Sequence, residues 1–234
     1  MEPRLICFDV FGTVVDWRGS LVRELEKFSE KRGLGFDINA FADGWRSGYP
    51  KAMDEVRRGI LPWTRIDDLH RMILDRLITQ FGLEAISEKD RRHLNLVWHR
   101  LHPWPDSVEG LTRLKRKFTI VPLSNGNMSL LTDLAKFGGL PFDAILSAEL
   151  FHAYKPDAAV YDGAARMMDV APVDAMLVAA HKSDLAAAKA RGFMTAFVNR
   201  PLEYGAGLHP DPGGDSAFDF NVGDFNELAT ALGA

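Results

Sequence analysis

The chain has 234 residues, 47% of them hydrophobic and 26% charged, with a net charge of −4 at neutral pH. This composition describes a globular protein large enough for a sizeable core and a second, smaller subdomain. It excludes a nucleic-acid binder built on phosphate neutralisation, because no stretch offers a basic surface, and the single cysteine, Cys7, excludes an internal disulfide or a cysteine-based metal cluster.

No apolar run approaches the ~20 residues needed to span a bilayer, and no signal-peptide pattern opens the chain. The expected location is the cytoplasm, a reducing compartment that suits an unpaired thiol.

The first element is the apolar, partly β-branched run Leu5-Ile6-Cys7-Phe8, which reads as a buried strand ending in Asp9. Phe11-Gly12-Thr13 then forces a turn. A carboxylate just outside the end of a parallel strand sits where ligands bind in open sheets. An aspartate bonded to local backbone is the structural alternative.

Beyond Trp17 the pattern is helical only. Leu21, Leu25 and Phe28 recur at helical spacing, and Gly33 and Gly35 close that helix. Asp37 opens a second helix carrying Phe41, Trp45 and Met53, which Pro50 is expected to kink or break. Pro62-Trp63 begins a third, with Ile66, Leu69, Ile73 and Leu77 on one face, and Gly82 ends it. A fourth runs from Ser87 through Leu94, Val97 and Leu101 until Pro103-Trp104-Pro105 stops it. Trp45, Trp63, Trp98 and Trp104 fit either the core of this insertion or a homodimer face.

From Asp106 onward strands and helices alternate, the signature of a parallel sheet wrapped by helices. Strands are expected near 118–123, 144–147, 175–180, 195–198 and 218–222, with helices at 107–116, 128–136, 158–168, 184–191 and 225–232. The expected fold is α/β, a doubly wound, Rossmann-like parallel sheet. Its core is discontinuous, residues 1–16 plus 106–234, and an all-helical subdomain at 17–105 interrupts it.

Three later strands also end in polar residues, which would converge with Asp9 on one rim. Ser124-Asn125 follows the second core strand, Lys155 the third, and His181 to Asp184 the fourth. Singly, each has a structural reading as a turn, a helix start or a helix cap. As chemistry, Lys155 beside Asp9 would keep that carboxylate ionised. Thr13 and Ser124 can orient carboxylate oxygens, the N–H groups of Val10 and Phe11 are fixed donors, and Asp184 can pair with Lys155 and polarise a water. The His99 and His102 pair lacks a third metal ligand. Gly205-Ala206-Gly207 leads to prolines rather than a helix, so it is no dinucleotide fingerprint.

Phe8-Asp9-Val10-Phe11-Gly12-Thr13 resembles the first motif of the haloacid dehalogenase superfamily, and the later strand ends resemble its remaining motifs in order. The resemblance implies that Asp9 is a covalent nucleophile and that the helical insertion is a cap. Phosphatases of the superfamily carry a second aspartate where this chain has Phe11, and a metal-binding aspartate where it has Ala179. The resemblance is therefore to the type II L-2-haloacid dehalogenase branch, with no catalytic metal and no cofactor.

Trp45-Arg46 resembles the cap segment that holds the halide, which assigns Arg46 to the leaving group with Asn125 as second donor. Tyr161 matches the spacing of a tyrosine lining the site. The best-known members carry serine, asparagine and tryptophan where this chain has Ala179, His181 and Ser183. His181 is expected either to hold water or a small halogen near Asp9, or to be a plain wall residue. Trp17-Arg18, Ala179-Ala180-His181 and Arg200-Pro201-Leu202-Glu203-Tyr204-Gly205 resemble a subgroup that accepts haloacetates, some with fluoride leaving.

The implied activity is hydrolysis of short 2-halocarboxylates to 2-hydroxycarboxylates through an aspartyl ester. Its partners are that small acid, water and a halide, with no nucleic acid or membrane. A metal-dependent phosphatase and a non-catalytic binding protein on the same fold are the alternatives.

Overall fold

In the computed structural model, which describes residues 2–207 and 210–234, Leu5–Phe8 forms strand β1 with every side chain buried. There follow β2 (Val15–Asp16), α1 (Trp17–Arg32), α2 (Ile38–Arg57), α3 (Ile66–Gln80), α4 (Glu88–Asn95), a 3-10 turn at Leu96–Arg100 and β3 (His102–Pro103). The remainder is α5 (Ser107–Lys115), β4 (Thr119–Ser124), α6 (Met128–Gly138), β5 (Leu146–Ser147), α7 (Ala158–Met167), β6 (Ala175–Ala179), α8 (Lys182–Ala190), β7 (Met194–Val198), β8 (Phe220–Val222) and α9 (Phe225–Ala231).

An unbroken apolar strand belongs where both faces of a sheet are covered, and β1 lies inside a six-stranded sheet of order β5-β4-β1-β6-β7-β8. All of its pairings are parallel. The chain builds outward from β1 to β4 and β5, then crosses back to β6. Asp9 thus stands at the switch in strand order, where the crevice of an open α/β sheet forms.

The helical insertion follows some of its sequence signals, although its third helix begins at Ile66 and not at Pro62-Trp63. Asp37 caps α2 by accepting from the Ala40 N–H at 2.9 Å, and Gly33, at φ 63°, ends α1 in the left-handed conformation that glycine tolerates. Pro50 does not break α2, which runs through it for 20 residues. The ring projects on the exposed side, and Phe41, Trp45, Tyr49, Ala52 and Met53 stay buried along one face. Packing of that face outweighs the single intrahelical bond that proline forfeits.

The fourth predicted helix ends early. It tightens to a 3-10 turn and then β3 pairs antiparallel with β2, Val15 opposite Pro103 and Asp16 opposite His102. This ribbon clasps the two points where the chain leaves and re-enters the sheet. Trp45 and Trp98 are core residues, packed edge to face at 5.7 Å, with the Trp45 indole N–H donating to the His70 carbonyl at 2.9 Å. Trp98 also meets the edge of Phe11 at 5.9 Å, so the aromatic interior of the insertion abuts the turn after Asp9.

Helices α5 and α9 pack closely on one face of the sheet because Gly110 leaves room. A Cβ there would lie 2.8 Å from the Phe225 carbonyl carbon, a backbone atom that cannot swing aside. Gly110→Ala is expected to cost about 1–3 kcal/mol despite the helix propensity of alanine. Urea unfolding checks this: the midpoint falls while the slope is unchanged.

Candidate active site

The last rung of the β1 ladder is the Asp9 N–H donating to the Val178 carbonyl at 3.0 Å, which fixes the Asp9 backbone. Gly12 then takes φ 87° and the N–H groups of Val14 and Val15 fold back onto the Val10 carbonyl at 2.9 and 3.1 Å. Among the described residues nothing accepts from the N–H groups of Val10 and Phe11, which leaves both as donors at the strand end.

Four side chains bind the Asp9 carboxylate or its partner. The Lys155 ammonium lies 2.8 Å from Asp9 Oδ1 and 2.5 Å from Asp184 Oδ2. Thr13 Oγ1 accepts the Ala180 N–H at 2.9 Å, so its own proton is directed at Asp9 Oδ2, 2.8 Å away. His181 Nδ1 approaches the same oxygen at 3.0 Å, and its Nε2 lies 3.0 Å from Glu203 Oε1. Tyr161 donates to Asp184 Oδ1 at 2.5 Å.

Asp9, Lys155 and Asp184 are all less than a tenth exposed. Burial by itself would raise the Asp9 pKa, yet the Lys155 charge and His181 hold the carboxyl well below the usual carboxylate range. Burial would likewise neutralise Lys155, but Asp184 and Asp9 drive its pKa above the ordinary lysine value. For His181 the bonds to Asp9 and Glu203 overcome desolvation and push it up to about 10. Desolvation lifts the Cys7 thiol to about 12, so the thiol beneath the site stays protonated and inert.

The loop carrying Lys155 is held from both sides. Its N–H donates to Asn125 Oδ1 at 2.6 Å, and Arg57 at the end of α2 donates to the Lys155 and Tyr154 carbonyls at 2.8 and 3.2 Å. From below, Arg200 donates to the Thr13 carbonyl at 2.9 Å while gripping Asp106 through both nitrogens at 2.7 and 2.9 Å.

A cavity of about 140 Å³ opens over Asp9. Of the predicted residues, Phe11, Arg46, Ser124, Asn125, Lys155, His181 and Asp184 line it with Asp9. Arg46 reaches over from α2, its guanidinium 5.5 Å from the Trp17 ring and 5.2 Å from the Tyr49 ring. Among the described residues no carboxylate pairs with it. The Ser124 hydroxyl accepts the Gly126 N–H at 3.3 Å and keeps its proton for a ligand.

One expectation changes, that for Tyr161. Tyr161 is fully buried and braces Asp184 from behind rather than lining the cavity. The Val10 side chain is buried too, so only its backbone faces the rim. Asp184 does not cap α8, which begins at Lys182 after His181; it lies in the first turn, aimed at Lys155. His99 and His102 hold no common site: His99 sits between Asp67 and Asp133 at 3.0 and 2.8 Å, and His102 is exposed. Sequence reasoning missed Tyr49, one helical turn beyond Arg46, and gave no role to Glu203.

The family model for haloacid dehalogenase-like hydrolases matches residues 3–192. A solved L-2-haloacid dehalogenase is 44% identical, with a TM-score of 0.94 over 98% of this chain and 99% of that one. A solved defluorinating L-2-haloacid dehalogenase is 40% identical, with a TM-score of 0.96 over 99% of this chain and 96% of that one. (S)-2-haloacid dehalogenase 4A of Burkholderia cepacia is 30% identical over 216 residues, 86% of either chain. The chain belongs to the haloacid dehalogenase-like hydrolases, and within them to the L-2-haloacid dehalogenase branch.

Removing the shared ammonium by Lys155→Met would leave two buried carboxylates facing each other, and a loss of about 3–5 kcal/mol is expected. With that cation gone the Asp9 carboxyl regains protons on acidification, so the deficit should shrink between about pH 7.5 and about pH 5. Urea unfolding of both proteins at the two pH values reads it. An equal deficit at both would contradict the electrostatic account.

Proposed function

We propose that the protein hydrolyses short 2-halocarboxylates, L-2-haloacids and haloacetates including fluoroacetate, to 2-hydroxycarboxylates through an aspartyl ester. The observation that carries this is an ionised Asp9, held between Lys155 and His181 at the floor of the cavity, with Phe11 in place of a proton donor two residues on. A halide leaves without a proton, whereas an alcohol leaving a phosphate ester requires one.

In the first step Asp9 attacks the carbon bearing the halogen, an oxygen–carbon bond forms, and the carbon–halogen pair departs as halide. Arg46, with no carboxylate of its own, and the Asn125 amide receive it. The substrate carboxylate meets the open N–H groups of Val10 and Phe11 and the Ser124 hydroxyl. Water then attacks the ester carbonyl with Asp184, oriented by Lys155 and Tyr161, taking its proton. Collapse returns the Asp9 carboxylate, and the product oxygen takes up a proton. Residues 17–105 serve as a cap over a core of 1–16 plus 106–234, with Arg46 as its contribution to the site. The volume of about 140 Å³ suits a two- or three-carbon acid, well under the ~300 Å³ at which drug-sized sites begin.

A divalent cation does not fit the residues. The Lys155 ammonium fills the gap between Asp9 and Asp184, and Phe11 and Ala179 contribute no oxygen ligand. A reducing cytoplasm, where Cys7 stays a thiol, is the matching location. No described helix is long and apolar enough to cross a membrane.

Halide release from fluoro-, chloro- and bromoacetate and from both enantiomers of 2-chloropropionate, with a chelator present, tests the reading. Halide release is expected for at least the chloro and bromo acids, with inversion at the stereocentre of 2-chloropropionate, and Asp9→Asn should abolish it. Magnesium-stimulated phosphomonoester hydrolysis faster than any halide release would refute it.

A further inference from the structure

The two oxygens of Asp9 are not equivalent. Oδ1 has one donor, Lys155, and Oδ2 has two, Thr13 and His181. An oxygen with both lone-pair directions engaged is a poor nucleophile, so attack falls to Oδ1. A cation on Oδ2 does nothing for that attack, since it draws charge away from the carboxylate. The His181 charge therefore has its use after the ester has formed, when Oδ2 is the ester carbonyl oxygen.

The imidazole is built to stay charged. A neutral ring donates from one nitrogen only, yet both nitrogens of His181 face carboxylate oxygens, those of Asp9 and Glu203. Glu203 is 4% exposed and its Oε1 also accepts the Trp17 indole N–H at 3.1 Å. The turn at Gly12 is shaped around it: a Cβ at that residue, whose φ is 87°, would stand 2.2 Å from Glu203 Oε1. The other groups around the ring are Asp184 on its own helix, Lys155 below, Arg46 across the cavity, and Arg200, Tyr204 and Asp211 on the far side.

Resting on the ester mechanism above, we infer that Glu203 is a positioning residue of the second half-reaction: it holds His181 as an imidazolium, so that the ester carbonyl oxygen Oδ2 meets a charged donor beside the Thr13 hydroxyl. Displacement leaves the substrate carbon on Oδ1. Water adds to Cγ, its proton passes to Asp184, and the electron pair of the carbonyl moves onto Oδ2 between the Thr13 hydroxyl and the His181 N–H. Collapse breaks the Cγ–Oδ1 bond, and the departing oxygen takes the proton from Asp184.

Glu203→Gln separates the two halves. Rapid mixing with chloroacetate should give a first-turnover halide burst like that of the parent, while ester hydrolysis slows roughly 10²-fold, the usual effect of losing one oxyanion donor. The intact-mass spectrum should then show the acyl adduct accumulating on Asp9. In the parent the hydrolytic step should be independent of pH until His181 deprotonates, a limit that Glu203 keeps above the ordinary histidine value after Asp9 has become a neutral ester. In the variant that limit moves down toward the ordinary histidine value near ~6.5, a change that mere loosening of the loop does not produce. His181→Gln, which leaves Glu203 in place, should also accumulate adduct but without the pH limit. Equal slowing of burst and hydrolysis in both variants, or an unshifted pH limit in Glu203→Gln, would overturn the inference. A parent enzyme giving neither halide nor adduct would instead overturn the hydrolase reading beneath it.

Discussion

The Lys155 ammonium between Asp9 and Asp184 is the contact on which the rest of the site depends. Two carboxylates buried this close repel each other, and without an intervening cation one of them would protonate. With it, Asp9 stays an anion at the floor of the cavity and Asp184 is held beside it through the same ammonium. The desolvation cost of three buried charges is offset by short hydrogen bonds from Thr13, Tyr161 and His181, so that every oxygen of the two carboxylates has a donor.

Much of the surrounding architecture keeps that contact in register. Strand β1 is placed at the centre of the sheet by its unbroken apolar run, and Asp9 is the first residue past it. Asn125 fixes the Lys155 backbone from the neighbouring strand end, and Arg57 grips the same loop from the helical insertion. The insertion is thus tied to the loop bearing Lys155 as well as to the β2–β3 ribbon, and the aromatic stack of Trp45, Trp98 and Phe11 runs from its interior to the turn after Asp9.

The parallel α/β sheet and the polar strand ends were legible in the sequence because buried parallel strands read as mainly apolar runs, whereas the order of the strands was not. Asp9 and Ser124 therefore stand out against apolar runs. What escaped had no pattern to carry it. Two-residue strands such as Val15–Asp16 and His102–Pro103 leave no periodicity. Pro50 signalled a break that packing of the buried face overrode. The spacing of Tyr161 from Lys155 matched a tyrosine lining the site but could not show that it stands behind Asp184 instead. Glu203 lies in a turn between a strand and a glycine-rich loop, where charge is ordinary, and only its approach to Gly12 and His181 in three dimensions gives it meaning.

The central claim is that Asp9 is consumed and regenerated in each turnover. A single turnover with enzyme in excess over 2-chloropropionate in water enriched in heavy oxygen tests it most directly. The account predicts an unlabelled 2-hydroxypropionate and a label on the peptide containing Asp9. Label in the product with none on that peptide would mean that water attacks the substrate directly, and the account would fail.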